Sequence, residues 1–407
     1  MKIVHISFSD NYGGAAIAAF RHCEAMRRAG HESSMVVLNK QLKSKTFINE
    51  AIENKFLKKV YFFLHMKIIN WITSKFRIWG AFSFPIFTVK LSNISLLKEA
   101  DLIYLHWIAA SMLSTKEVEN ILKLGKPTRW YMHDMNPITG GCHYSMECVK
   151  YMQHCQNCPM IQRKLLNIDL AKIQFDKRLK LWSKYKNLEA YTPSNWLAKC
   201  VSNSNLWKGH KITVYPNVID TQKFHPVNKS AAKDLLGIGG TKKLILFGAA
   251  DVNSPYKGWE YMRQAINKLE PERYEALIFG EEKQKIRKDI AIKCHFVGHL
   301  ADEYSLILVY NAADVFVSAS LADNYPNVIM EAMACGLPCV GFNIGGIPDQ
   351  IKHKKNGFLA DYKDSQLLAE GIKYVCECPD DVYNSMRSNA RDFVCSVASY
   401  DKYNNNI

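Results

Sequence analysis

The chain has 407 residues, of which 48% are hydrophobic and 22% charged, a balance that excludes a disordered polymer and leaves room for two domains with ordinary cores. Its net charge of +15 favours anionic partners, namely nucleic acid, an acidic membrane surface or phosphorylated substrates. No nucleic-acid reading module or stacking motif accompanies that charge, no run reaches the ~18 apolar residues that would span a bilayer, and the first residues lack signal-peptide order, so a cytoplasmic protein without a nucleic-acid partner is expected.

The first half alternates short apolar runs with helical patterns. Lys2–Phe8 reads as a strand. Gly13-Gly14 follows it, and Ala15–Ala29 reads as a helix stopped by Gly30. Ser34–Leu38, Leu102–His106, Arg129–His133 and Leu188–Thr192 are further strands. Such alternation predicts a parallel sheet with crossover helices.

Between the second and third of these strands lies the segment Asn54–Lys98, which contains no Asp or Glu. It mixes Lys55, Lys58, Lys59, Lys67, Lys75 and Arg77 with Phe56, Tyr61, Phe62, Phe63, Trp71, Phe76, Trp79, Phe82 and Phe84. Rings at headgroup depth and cations against anionic lipid suit a membrane interface; the competing reading is a buried helical insert whose lysines snorkel outward. The loop 140–160 concentrates thiols, with Cys142, Cys148, Cys155 and Cys158 inside 17 residues. These can make a tetrahedral structural zinc site, or they are reduced thiols or a redox pair. The other eight of the twelve cysteines are scattered, as expected of small buried hydrophobes in a reducing compartment.

A join is expected within Thr192–Phe224, which Pro193, Gly209, Pro216 and Asn217 punctuate. The second half then repeats the α/β plan. Lys243–Phe247, Ala276–Phe279, Cys294–Val297, Val315–Ser318 and Cys339–Phe342 read as strands, and Trp259–Leu269, Leu306–Asn311, Ile329–Cys335 and Gln366–Val375 as helices. The expected domains are 1–200, carrying the 54–98 insert and the cysteine loop, then 212–380, then a helix with a polar tail over 381–407. Two such α/β halves bind ligands at the carboxyl ends of their strands, across a cleft.

The block from Ser318 to Gly346 carries the most chemistry. A strand ends in Ser320-Leu321-Ala322-Asp323-Asn324-Tyr325-Pro326-Asn327; a helix starts near Val328, contains Glu331, and closes at Gly336. Its N-terminus, at Asn327 and Val328, offers free N–H groups and a positive dipole end to a diphosphate. Glu331, about one turn inside, can accept from a ribose diol, and Asp323 can bind sugar hydroxyls.

An acidic residue, seven intervening residues and Glu-Ala-Met-Ala-Cys-Gly-Leu-Pro resemble the signature of the retaining glycosyltransferases of family 4, which have the GT-B fold of two Rossmann-like domains facing a cleft. The resemblance covers nearly the whole chain in family order. Gly13-Gly14 looks like the loop that approaches the donor phosphates. His133-Asp134 looks like the family's strand-end His at the reaction centre. Thr192-Pro193-Ser194 and Val214–Asp220 look like the interdomain crossing, and Lys257-Gly258 like the lysine that neutralises the diphosphate. The last helix would cross back onto the first domain.

The resemblance implies a nucleoside-diphosphate sugar donor, retention of configuration and no catalytic metal. Lys257 and helix N-termini would stabilise the leaving diphosphate, His133 would orient substrates or handle a proton, and Glu331 would anchor the ribose. The run His133-Asp134, Gly140-Gly141-Cys142-His143-Tyr144, then Cys155-x-x-Cys158-Pro159 is similar to enzymes of bacterial surface-polysaccharide assembly. That similarity implies a lipid-linked oligosaccharide acceptor at the inner membrane face. Two departures stand out: Asp323 replaces the usual Glu, and Ala249 and Ala250 follow Gly248 where the family often has Arg. The competing functions are a nucleotide-sugar epimerase or hydrolase of the same fold, and a catalytically inactive zinc-bearing scaffold.

Overall fold

The structure, a computed structural model, describes residues 1–86, 88–110, 112–251, 254–281, 289–300 and 302–405. The chain divides into two compact units, Met1–Pro216 and Asn217–Ile407, with the boundary inside the expected join.

The first unit is built on strands β1 (Lys2–Ser9), β2 (Glu32–Asn39), β3 (Ile48–Glu50), β4 (Leu102–Leu105), β5 (Thr128–Tyr131), β6 (Leu188–Thr192) and β7 (Ile212–Val214). They pair in the order β3-β2-β1-β4-β5-β6-β7, all parallel. Parallel neighbours cannot be joined by tight turns, so helices cross over between them. These are α1 (Gly14–Arg28), α2 (Lys55–Phe76), α3 (Ser95–Lys98), α4 (Thr115–Leu122), α5 (Leu170–Trp182) and α6 (Asn195–Asn203). Local chemistry starts them where the sequence supplies an acceptor: Asn54, Ser114, Asp169 and Ser194 each cap the helix that follows. Ile6, Leu38, Leu105, Trp130, Ala190 and Val201 form part of the core between sheet and helices.

The second unit repeats the design. Strands β8 (Lys243–Asp251), β9 (Tyr274–Glu281), β10 (Lys293–Gly298), β11 (Val315–Ser318), β12 (Cys339–Phe342) and β13 (Gly357–Ala360) pair in the order β10-β9-β8-β11-β12-β13, again all parallel. Its helices are α7 (Lys229–Leu235), α8 (Trp259–Ile266), α9 (Glu303–Ala312), α10 (Asn327–Ala334), α11 (Ile347–Gln350), α12 (Ser365–Glu377) and α13 (Asp380–Val397). The period-two alternation of strands sorts the core into two layers. Leu244, Leu246 and Phe316 pack on one face with Ile329 and Met333, while Ile245, Phe247 and Val317 pack on the other with Met262 and Ile372.

In both sheets the strand order reverses direction beside the first strand, between β1 and β4 and between β8 and β11. The crossovers diverge there, and a crevice opens above the carboxyl ends of the strands.

Sequence reading missed the short edge strands β3, β7 and β13, which are too brief to show a period. It also carried β4 and β5 through His106 and His133. The structure ends them at Leu105 and Tyr131, which leaves both histidines on the loops that leave the carboxyl edge. The segment expected as a separate end piece, 381–407, lies in the second unit. Met386, Ala390 and Val394 of α13 are buried in that unit, and Arg391 donates to the carbonyls of Phe224, Ala334 and Thr221.

Candidate active site

In the second unit, three loops converge on one point. After β8 the chain makes a 3-10 turn, Pro255–Lys257, and enters α8 through Gly258. Gly258 has φ +65°, and a Cβ there would lie 1.9 Å from the carbonyl oxygen of Ala319. The Leu321 N–H donates to the Tyr256 carbonyl at 2.8 Å, stitching this turn to the loop after β11. Gly345, on the loop after β12, has φ +59°, and a Cβ there would lie 2.1 Å from the Asp323 carbonyl oxygen. The Gly346 N–H donates to that same oxygen at 3.2 Å.

This clamp brings Lys257 and Asp323 together, with Nζ 2.7 Å from Oδ2. The Asp323 carboxylate is almost buried, while the lysine side chain keeps 31% of its exposure. An ammonium has three donors, so one bond to Asp323 leaves capacity for a phosphate oxygen. Asn327 opens α10, and its Oδ1 accepts from Asn217 Nδ2 at 2.9 Å; the same amide also donates to the Tyr325 carbonyl. Val328 packs against the core and brings its backbone to the helix N-terminus. Glu331 is buried one turn further along and accepts from the Tyr310 hydroxyl at 2.8 Å.

In the first unit, Gly13 precedes α1 with φ +83°, and its carbonyl accepts from the N–H groups of Ala16 and Ile17. His133 does not stand alone. Its Nε2 lies 3.0 Å from His106 Nδ1, and His106 Nε2 lies 2.8 Å from His5 Nδ1. The three rings stack in sequence from β1 to the loops that follow β4 and β5. Burial pushes the His133 pKa down to about 4, against a small opposing pull from Asp134, and pushes His5 down to about 3. His106 is lowered well below its ordinary value by burial and by its histidine neighbours.

Asp134, the next residue, turns into the protein. It accepts from Trp107 Nε1 at 2.9 Å and the Asn136 N–H at 2.8 Å, and pairs with His143 Nδ1 at 2.5 Å. Burial would raise its pKa, but His143 and these donors overcome that and hold it below the usual carboxylate value. His143 Nε2 in turn meets Ser83 Oγ at 2.8 Å.

Cys142, Cys148, Cys155 and Cys158 are free thiols that line a single small cavity with Phe82, Thr139 and Tyr151. Burial raises the pKa of Cys155 to about 12 and raises those of Cys142 and Cys158 as well. As the side chains stand, no group of three or more His, Cys, Asp or Glu among the described residues is placed to hold a metal ion. The loop is anchored by buried Arg178, which donates to the Thr139 carbonyl at 2.7 Å, to the Asn136 carbonyl and to Asn136 Oδ1. It is also sewn to the basic aromatic insert: the Ser83 N–H donates to the Gly141 carbonyl and the Trp79 N–H to the Met160 carbonyl.

Sequence reasoning missed His5, His106, Trp107, His143 and Tyr310. The histidines carried a signal, since three of the candidate strands, Lys2–Phe8, Leu102–His106 and Arg129–His133, each contained one. Only register and strand order show that they touch.

Two Rossmann-like units of parallel strands make the GT-B fold. A solved structure of Anabaena HepE in complex with UDP superposes with a TM-score of 0.66 at 16% identity, covering 99% of this chain and 97% of that one. WaaG, a glycosyltransferase involved in lipopolysaccharide biosynthesis, gives 0.57 at 12% identity, with 99% and 98% covered. Residues 241–377 match the family Glycosyl transferases group 1. A UDP-Gal:alpha-D-GlcNAc-diphosphoundecaprenol alpha-1,3-galactosyltransferase of Escherichia coli is 29% identical over 193 residues, 45% of this chain and 49% of that protein. An uncharacterized glycosyltransferase of Methanocaldococcus jannaschii is 24% identical over 303 residues, 70% of this chain and 76% of the other. The chain thus spans about half the length of the Escherichia coli relative.

The lowered histidines make a pH prediction. An unfolded chain takes up protons on these rings below the ordinary value of 6.5, whereas folded His133 and His5 resist until about 4 and about 3. Their contribution to stability is therefore complete above pH 6.5 and is lost as pH falls toward 4. Asp134, His22, His106 and Tyr131 are among the titratable groups around His133. An NMR titration of the labelled histidines should show His133 neutral down to about pH 4; a midpoint near 6.5 would refute the assignment.

Proposed function

We propose that the chain transfers a sugar, with retention of anomeric configuration, from a nucleoside-diphosphate sugar to a lipid-linked oligosaccharide in bacterial surface-polysaccharide synthesis. The observation that carries this reading is the Lys257–Asp323 pair, locked at the carboxyl edge of the second sheet beside the N-terminus of α10. Breaking the donor's sugar–phosphate bond places negative charge on the leaving diphosphate. The Lys257 ammonium and the α10 dipole supply positive charge at that place without a catalytic metal ion. Asp323 orients the lysine and presents its carboxylate to sugar hydroxyls. Glu331, held by Tyr310, anchors the ribose. His133, on the first unit, orients the reacting hydroxyls. The Escherichia coli relative, whose name gives a diphosphoundecaprenol-linked acceptor, and the UDP held by HepE support the choice of substrates.

Glu331→Gln keeps an acceptor for Tyr310 but removes the charge. It should lose ~1.5–3 kcal/mol of transition-state binding, roughly 10- to 150-fold in kcat/KM. The assay is release of nucleoside diphosphate across UDP-, GDP- and dTDP-sugars with a polyprenyl-diphosphate oligosaccharide present. Unchanged turnover in the variant would remove Glu331 from the site, and no turnover or nucleotide binding with any donor would favour the inactive scaffold.

A lipid-linked acceptor would be met at the inner face of the cytoplasmic membrane, and α2 supports that location. Phe56, Val60, Phe63 and Trp71 form an exposed stripe at helical spacing, with Lys67 Nζ 4.5 Å from the Phe63 ring centroid. His65, Ile72 and Phe76 pack inward on the opposite side. An apolar stripe in a basic helix fits an anionic lipid surface, and its exposure argues against the buried insert. No described helix is long and apolar enough to cross a membrane. Co-sedimentation should show binding to phosphatidylglycerol vesicles and loss of it in Phe63→Glu/Trp71→Glu; equal binding by both proteins would sink the proposal.

The four thiols suit a structural zinc ion, because soft donors from one loop line one cavity. Cys142, Cys148, Cys155 and Cys158 would hold it and so tie the loop to the insert. Elemental analysis of protein purified without chelator should find one zinc per chain, lost in Cys155→Ser/Cys158→Ser; metal-free protein of full stability would exclude it.

A further inference from the structure

We infer that the first unit carries a recess for an acetamido group, so that the acceptor it reads is an N-acetylated sugar. The inference rests on the proposed transfer to an oligosaccharide and names a substituent of that acceptor.

The recess follows from the spacing of one helix face. Gln174, Arg178 and Trp182 stand four residues apart on α5, so they share one side of it. All three are buried, and with Trp130 of β5 they form the inner wall of a cavity of about 30 Å³. A water-sized group needs about 10–15 Å³ of such space, so the cavity takes two or three heavy atoms. Ser83, Pro85, Ala109 and Thr115 form its outer end, and all four are partly exposed. Ala109 lies on the loop that leaves β4 with His106, which puts the outer end at the carboxyl edge of the first sheet.

The chemistry of the wall selects the ligand. Gln174 is 2% exposed, and neither its Nε2 nor its Oε1 has a hydrogen-bond partner among the described residues. The indole N–H groups of Trp130 and Trp182 are equally without one there. A buried amide in that state destabilises the fold, and an apolar side chain of the same size would not. The Arg178 guanidinium is already committed, to the carbonyls of Asn136 and Thr139 and to Asn136 Oδ1.

The charge of Arg178 excludes a cationic ligand. An anion would leave the Gln174 oxygen facing another acceptor. A neutral group that both donates and accepts satisfies the amide. Ile108, Leu113 and Val118, which also line the cavity, require that group to end in a small apolar part. An acetamido group meets each condition. Its carbonyl accepts from Gln174 Nε2 or an indole N–H, its N–H donates to Gln174 Oε1, and its methyl covers the apolar wall. A plain hydroxyl has no methyl and leaves that wall to water. Gln174 is therefore a specificity residue, remote from the bond that is broken.

The test reads binding to the full-length protein without donor. Methyl N-acetylglucosaminide and methyl glucoside, which differ only in that group, are titrated separately. The indole N–H signals of 15N-tryptophan-labelled protein report binding, with Trp130 and Trp182 assigned by their loss in Trp→Phe variants. The acetamido sugar should move both signals and bind at least ~10-fold more tightly than the glucoside. Gln174→Met, which conserves volume, should lose that preference. Equal affinities, or no binding of either sugar, would show a cavity for water alone and overturn the inference, as would a preference that survives in Gln174→Met. If that variant does not fold, Ala109→Leu at the outer end takes its place and should abolish the preference; a preference kept there overturns the inference equally. Release of nucleoside diphosphate is assayed separately. Equal binding beside intact turnover strikes the recess alone, whereas a clear preference beside no turnover strikes the transfer alone.

Discussion

Parallel strand pairing is the constraint on which everything else rests. Because every neighbour within each sheet runs the same way, the loops that leave its strands forward gather at one edge of that sheet, and most of the candidate residues of each unit hang from its own edge. Lys257 follows β8, Asp323 follows β11 and Gly345 follows β12, three strands that are adjacent in space. His106 and His133 follow β4 and β5 in the same manner, and His5 reaches them from inside β1. Chemistry scattered far along the sequence of each unit is collected by backbone hydrogen bonding before any side chain contributes.

Each unit uses its own edge differently. The second is a clamp of glycines and carbonyls around one ion pair, in which the charges sit at the rim and the backbone is rigid. The first is aromatic and uncharged at its centre: His5, His106 and His133 stack against Tyr104 and Tyr131, with the ionised group, Asp134, turned away and satisfied by Trp107, Asn136 and His143.

Much of this was legible in the sequence where local pattern governs. The strands of both sheets have apolar or β-branched cores, and the block from Ser318 to Gly346 shows a strand end, a loop and a helix start in close succession. The Lys257–Asp323 contact was not legible, because 66 positions separate the two and only strand order joins them. The histidine chain stayed hidden for the same reason. The outward stripe on α2 was obscured by lysines at mixed phases, and its exposure became plain only when His65, Ile72 and Phe76 defined the inner side. The three edge strands were invisible because three or four residues are too few for a period.

The clamp around Asp323 also limits how this protein can be altered. Two glycines on separate loops, Gly258 and Gly345, leave no room for a side chain against the carbonyls of Ala319 and Asp323. Neither loop can drift in sequence on its own without pushing the other out of place. Anyone recombining this half with a relative to change sugar preference would have to carry the turns after β8, β11 and β12 across as a single cassette, and would find the freely exchangeable positions further out, where no backbone oxygen stands in the way.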